Sequence, residues 1–425
     1  MSRRNDTPRL PVEITIERTG FRGDGIATHD DGLKEREILV PFALPGERWL
    51  VRLVGRDGKR WRARGERMIE ASPSRCKPVC DHFGRCGGCV LQHVGARDAA
   101  DLKIAMIEGA LRSRGLDHPP FEAMATSPPS SRRRIRIAID RNGRVGFRER
   151  WSRRIEPVSR CPVAHPDLER LLTPLAAIAP KLGCLAHECE IQFTRVDNGI
   201  DMHWLAGDRP SPADLELTTV TLSPLGVLRT SWSEERSGFA ETLWQRDQPM
   251  VVFGEHSLPF PPGCFMQATA EGLTSLQQFV DRALSGSKRI CDLFSGLGSL
   301  SLPLLHRLDH LCAIDSNEPA IRSLSGVPGV RAIARDLHST PFSAPELERF
   351  DAVILDPPRS GGEAQAEEIA KSSVRRVVHV SCNPASFARD TERLAAAGFR
   401  IARLLPVDQF THAAAVELAA LLLRD

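Results

Sequence analysis

The chain has 425 residues, 41% of them hydrophobic, which is enough for two or three domains with buried cores. A formal net charge of only +3 rules out any blanket attraction to acidic partners, and aromatic content of 5% with no Tyr leaves base stacking to His, Phe, Trp and Arg. No run of about eighteen apolar residues and no basic start leading into an apolar core occurs, so we expect a cytoplasmic protein without a membrane-spanning helix.

In chain order, the first 70 residues read as a unit of short strands. Val12-Glu-Ile-Thr-Ile-Glu17, Glu37-Ile-Leu-Val40 and Trp49-Leu-Val-Arg-Leu-Val54 alternate or cluster in the strand manner, with Gly20, Gly23 and Gly25 and then Pro45-Gly46 between them. This pattern predicts a small barrel of the OB kind, an architecture that binds single-stranded nucleic acid.

Next, Cys80-x5-Cys86-Gly87-Gly88-Cys89 packs three thiols into ten residues. Cys161 follows in Arg160-Cys161-Pro162, and a lone thiol beside proline resembles the distant fourth ligand of an iron-sulfur site. Zinc on Cys76, Cys80, Cys86 and Cys89 is the competing reading, because a closed tetrahedral site allows that spacing. The Cys-x3-Cys-x2-Cys spacing of radical enzymes is absent. Cys184, Cys189, Cys264, Cys291 and Cys312 read as buried apolar residues, and eleven cysteines with a metal-like cluster fit a reducing compartment.

Ala96 to Arg114 has helical spacing closed by Gly115, and Ser127-Pro-Pro-Ser-Ser131 is a turn or linker. Between Ser131 and Arg160 there are 11 Arg against three acids. Arg134 and Arg136 alternate with Ile135, Ile137 and Ile139, so one side of a strand would be cationic and suited to phosphates. Residues 132 to 255 predict mixed short strands with one or two helices.

The C-terminal part carries the densest chemistry. Ile290-Cys-Asp-Leu-Phe294 is a strand running into Ser295-Gly-Leu-Gly-Ser299, where glycines let backbone approach a ligand before a helix expected near Leu300. His310 to Ile314 is a second strand ending in Asp315, placed for ribose hydroxyls, and a third would end near Asp336. Ala352-Val-Ile-Leu355 and Val377-Val-His-Val380 read as buried parallel strands leading into Asp356-Pro-Pro-Arg359 and Ser381-Cys-Asn-Pro384. Ligands bind at the carboxyl ends of such strands, so Asp356 and Cys382 should face one crevice. A helix from about Ala385 to Ala397 should aim its N-terminal dipole at the Cys382 sulfur and lower its pKa. The succession of glycine loop and three acids suits S-adenosylmethionine. A dehydrogenase fingerprint wants a third glycine where Leu300-Ser301 stands.

These motifs resemble the RNA uracil-C5 methyltransferases, which make 5-methyluridine in transfer and ribosomal RNA. The likeness rests on Asp292-Leu-Phe-Ser-Gly-Leu-Gly298, Asp356-Pro-Pro-Arg-Ser-Gly361, Ser381-Cys-Asn-Pro-Ala-Ser-Phe-Ala-Arg-Asp390, and Asp408-Gln-Phe-Thr-His412 with Val416-Glu417. It implies an α/β chain in three parts. These are an OB-like (TRAM-type) RNA-binding barrel at 1–70, a mixed α+β central iron-sulfur domain at 71–260, and a Rossmann-like class I methyltransferase domain at 261–425. It further implies Cys382 as nucleophile and Glu417 as base, and Gln267, Phe294, Asp315 and Asp356 as S-adenosylmethionine contacts. Cys80, Cys86, Cys89 and Cys161 would be ligands of a [4Fe-4S] cluster. RNA is the implied partner, with no membrane and no obligate protein partner.

Such chemistry needs these groups. A thiolate adding to C6 turns uracil C5 into a nucleophile, and a carboxylate must later remove the C5 proton. Stacking shields both carbons in a helix, so the target base must be unpaired or flipped. Arg389 and Asp390 would hold the Cys382 loop as an ion pair. Three departures stand out. Asp315 replaces the usual Glu, Ser295 the common Cys, and Thr411 with Ala413 to Ala415 a Pro/Thr/His-rich segment. An RNA-binding protein of this fold without turnover, or an amine or protein methyltransferase, are the other readings. The Ser-Cys-Asn-Pro motif speaks against the latter, since amine methylation needs no thiol.

Overall fold

The computed structural model describes residues 11–30, 35–185, 188–205, 207–234 and 240–425. The chain divides into two compact units, one of residues 1–106 with 412–415 and one of residues 107–411 with 416–425.

In the first unit, six strands from Val12 to Glu70 form one sheet, around a core of Ile14, Ile16, Ile38, Val40, Val51, Leu53 and Trp61. The two longest strands, Arg48–Asp57 and Arg60–Glu70, pair as a hairpin turned at Gly58, whose φ of 62° suits a residue without Cβ. The second of these carries so many charges that sequence patterning passes over it. Only Trp61 and Ala63 point inward.

The second unit holds a seven-stranded and an eight-stranded sheet. The seven-stranded sheet spans residues 134 to 245. Its Arg134–Ile139 strand buries Ile135, Ile137 and Ile139 while Arg136 stays exposed, the alternation expected of a one-faced strand.

The eight-stranded sheet positions the site. In spatial order its strands are Val330–Ala334, His310–Asp315, Arg289–Leu293, Ala352–Leu355, Arg376–Ser381, Glu417–Leu423, Arg400–Asp408 and Ala125–Thr126. The first five run parallel, and Glu417–Leu423 lies antiparallel between its two neighbours. Apolar clusters cover both faces. Ile290, Ala313, Ile354 and Val378 join one, and Cys291, Cys312, Val353 and Val377 the other, which is why these strands read as unbroken apolar runs. Helices Ala270–Ala283 and Pro384–Ala396 contribute Leu276 and Phe279 to the first cluster and Phe387 and Leu394 to the second.

One local expectation is corrected. No α-helix starts near Leu300: the glycine loop turns through Gly298 at φ 70° into a 3-10 segment, Leu302–Arg307, with Pro303 in its first turn. The segment before the next strand is too short for more. The third strand ends at Ala334, near Asp336 as expected, and the Asp336 carboxylate accepts the N–H of His338 in the turn that follows.

Candidate active site

Four parallel strands finish along one sheet edge. Phe294, Asp315, Asp356 and Cys382, each at or just past a strand's last residue, therefore meet there.

Cys382 sits between the Arg376–Ser381 strand and the Pro384–Ala396 helix. Asn383 caps that helix, accepting from Ala385 N–H at 3.2 Å and donating to the Arg359 carbonyl at 2.9 Å. Arg389 and Asp390 pair at 2.7 Å. Arg389 also donates to the Ser360 carbonyl at 2.9 Å, and Asp390 accepts from Gly362 N–H at 2.6 Å. What the pair holds is thus the loop after Asp356-Pro-Pro. Gly361, at φ 84°, passes so close that a Cβ would lie 2.3 Å from Arg389 Nη2.

Whatever lowering the helix dipole gives Cys382 is outweighed. Burial, then the charges of Glu417 and Asp356, push the thiol up to about 11, with Arg359 pulling the other way. Desolvation and two carboxylates outweigh one helix end, whose effect is typically about 0.3–1 kcal/mol.

Glu417 reaches the crevice through strand register. Ser381 pairs with Leu418 in the antiparallel ladder, so the next residues outward are Cys382 and Glu417, one on each strand. Residues opposite each other in such a pair have Cβ atoms about 5 Å apart. Burial pushes Glu417 up to about 7, against a hydrogen bond from Gln409. Asp356 is held well above the usual carboxylate range by burial, then by Glu417 and Asp315. Asp292, under the glycine loop, rises to about 7 from burial first, with Asp356 and Asp315 adding and the Ser301 hydroxyl opposing. Four acids act on one another here, with Asp292 and Glu417 buried and Asp315 and Asp356 half-buried, an arrangement that favours a cationic ligand.

The remaining residues line its walls. Asp315 Oδ2 accepts from Gly296 N–H at 2.9 Å and Oδ1 from Asn317 N–H at 2.7 Å, so this acid also shapes the glycine loop. Phe294 adopts φ 62°, with its ring 5.3 Å from that of His338. Gln267 is buried and its Oε1 accepts from Gln409 at 2.8 Å. Sequence reasoning quoted Gln409 within a motif without giving it a role. It also missed Arg133, whose guanidinium bonds the Gln267 carbonyl at 3.0 Å and is pushed down to about 10 by burial.

On the seven-stranded sheet, Arg134 and Arg136 share Gln192 Oε1 at 3.1 and 3.5 Å. The Arg134 guanidinium lies 5.1 Å from the ring centre of Phe265, which is 60% exposed.

In the first unit, Cys80, Cys86 and Cys89 are half-buried on a loop of turns, and Gly88 N–H points at the Cys86 sulfur at 3.5 Å. Cys76 is exposed. Cys161, in the second unit, is half-buried, with its N–H on Glu169 at 3.0 Å. The expected metal-holding group is not met: among the described residues no three His, Cys, Asp or Glu are gathered so as to hold an ion. Thiols do not attract one another without a metal to bridge them. A backbone N–H on a half-buried sulfur is nonetheless the environment a thiolate ligand wants.

A glycine loop, acids at successive strand ends and a covered parallel sheet are the marks of an α/β methyltransferase fold. The whole chain resembles a tRNA (uracil-54, C5)-methyltransferase of Pyrococcus abyssi, solved with S-adenosyl-L-homocysteine. The TM-score is 0.75 at 23% identity, over 97% of this chain and 99% of that one. Residues 343–425 match the tRNA (uracil-5-)-methyltransferase family.

Full-length relatives complete the assignment. RNA methyltransferases of Brucella suis and Caulobacter vibrioides are each 34% identical, covering 96% and 97% of this chain and 97% and 100% of their own. The 23S rRNA (uracil(1939)-C(5))-methyltransferase RlmD of Chromohalobacter salexigens is 32% identical over 97% of this chain and 89% of its own. The chain belongs to the RNA uracil-C5 methyltransferase family. Among the described residues no helix is long and apolar enough to cross a membrane.

Proposed function

We propose that the protein transfers a methyl group from S-adenosylmethionine to C5 of a uridine in structured RNA through a covalent adduct between Cys382 and C6. The carrying observation is the register that sets Cys382 and Glu417 opposite each other at one strand edge beside Asp356. The Cys382 sulfur bonds to C6, and electrons move onto the ring until C5 takes the methyl. Glu417 then removes the C5 proton, the C5–C6 double bond reforms, and the thiolate leaves. A carboxyl near pH 7 suits that task, being ionised often enough to accept a proton yet basic enough to hold it. S-adenosylmethionine supplies an electrophilic methyl on a sulfonium cation.

Gln267, Phe294, Asp315 and Asp356 are the residues we assign to S-adenosylmethionine, within a Rossmann-like class I domain. The six-stranded sheet at the start of the chain is assigned as an OB-like (TRAM-type) barrel and, with Arg134 and Arg136, to RNA. Cys80, Cys86, Cys89 and Cys161 would hold a [4Fe-4S] cluster; iron and sulfide content of anaerobically purified protein decides between it and zinc. Localisation in the cytoplasm goes with these assignments.

The test is methyl transfer from labelled S-adenosylmethionine to RNA from cells lacking this gene, with nucleoside mapping. Wild type should form 5-methyluridine and Cys382→Ala none while still binding RNA. Binding by both without labelled uridine would leave an RNA-binding protein in its place.

A further inference from the structure

The buried side chain of Gln409 touches two of the assigned residues at once. Its Nε2 donates to Glu417 Oε2 at 2.9 Å and to Gln267 Oε1 at 2.8 Å. Its Oε1 accepts from Ala268 N–H at 3.1 Å. That last contact settles which end of the amide is which, because a backbone N–H can only donate. With the oxygen so fixed, both Nε2 hydrogens face acceptors, and the reversed amide would turn its oxygen toward a carboxylate.

Room for this arrangement comes from Gly272 in the first turn of the Ala270–Ala283 helix. A Cβ there would lie 2.8 Å from Gln409 Cβ and 3.1 Å from its Oε1. Thr269 caps the turn through Gly272 N–H at 3.1 Å. Glycine so placed gives up helix propensity of about 1 kcal/mol relative to alanine.

Gln409 is also the one hydrogen-bond partner of Glu417 among the described residues. One carboxylate oxygen is therefore pinned, and the other is left for the crevice.

We propose that Gln409 is a positioning residue for the reaction, orienting the Glu417 carboxylate toward C5, with Gln267 and Ala268 N–H holding the amide in the rotamer that does so. The inference rests on the methyl-transfer reading above. It predicts that losing the amide spares Cys382 addition and methyl transfer but slows removal of the C5 proton, so methylated RNA stays bonded to the enzyme. Without the donated hydrogen bond the buried carboxyl also takes its proton at higher pH, and the rising limb of the pH–rate profile moves up.

Gln409→Met keeps length and bulk but cannot donate. It should lower turnover by about tenfold to a hundredfold, the usual range for a hydrogen bond to a charged group. Denaturing gels with labelled RNA should show a covalent complex accumulating, and the pH–rate limb should shift upward. In Gln409→Met/Glu417→Gln, turnover should match Glu417→Gln alone. Gly272→Ala, which favours the helix while crowding Gln409, supplies the same readout if Gln409→Met folds poorly, and should also accumulate the complex.

Turnover within about twofold of wild type, no extra complex and an unmoved pH profile would overturn the proposal. So would equal loss of complex formation and turnover in both variants, the mark of a merely structural role. Failure of the underlying reading looks different: wild type itself would then yield neither 5-methyluridine nor a covalent complex.

Discussion

The high pKa of Cys382 leads to a test that needs neither RNA nor cofactor. Glu417→Gln removes one of the two negative charges that help hold the thiol up near 11. A unit charge about 5 Å away interacts by about 3 kcal/mol at an effective dielectric of about 20, equal to about two pKa units before salt and the half-exposure of Cys382 weaken it. A fall of about 1.5 units raises the thiolate fraction at about pH 8 some thirtyfold, while the weaker intrinsic nucleophilicity of a less basic thiolate takes back about a factor of five. Alkylation of Cys382 by iodoacetamide should therefore run about five to ten times faster in Glu417→Gln than in wild type. The Cys382 peptide would be followed by mass spectrometry, because ten other cysteines are present. An equal or slower rate, in a variant melting as wild type does, would refute the placement of that charge beside the sulfur.

The crevice should also select by charge. Asp292 and Glu417 titrate near 7 and Asp356 lies well above its usual range, so rising pH forces charge onto a desolvated site. For acids raised in this way the folded state is favoured while they stay protonated and loses ground as pH climbs from the ordinary carboxylate value to about 7. A bound cation relieves that cost, and calorimetric affinity for S-adenosylmethionine should climb from about pH 5.5 to 8 more steeply than affinity for S-adenosylhomocysteine, which lacks the sulfonium charge. A constant ratio between the two would sink this account. Elsewhere, Asp201 and Arg229 pair at 2.8 Å with side chains 1% and 3% exposed. Asp201→Ala strands a buried guanidinium and should cost about 3–5 kcal/mol by urea unfolding, whereas a loss under about 1 kcal/mol would mean that water reaches the pair.

How much of this was legible follows from where the information lies. The strands before Asp356 and Cys382 announce themselves because both faces are covered, and the Pro384–Ala396 helix because Asn383 and Gly398 mark its ends. Glu417 was picked out only through the resemblance, as the base it implies. Its partner was not, because Gln409 meets it only through pairing of the Arg400–Asp408 and Glu417–Leu423 strands, a long-range fact with no local signature. The raised pKa of Cys382 was not legible for a similar reason. The helix end is visible in the adjacent residues, whereas the burial that raises the thiol most, and the two carboxylates that add to it, come from packing with other strands. The Arg60–Glu70 strand hid behind its charges, and Arg133 behind a basic run read wholly as surface.

The Ser381–Leu418 pairing has an architectural corollary. Spacing between Cys382 and Glu417 is fixed by the ladder from Leu418 to Leu423 against Arg376 to Ser381, and the loop from Phe410 to Val416 takes no part in that ladder. Residues can be exchanged, added or lost in this loop without sliding the ladder, since a slip would turn six paired side chains to the wrong face. The separation of Cys382 from Glu417 is thereby insulated from changes in the chain that joins their strands, as the span of a bridge is insulated from the road that leads to it.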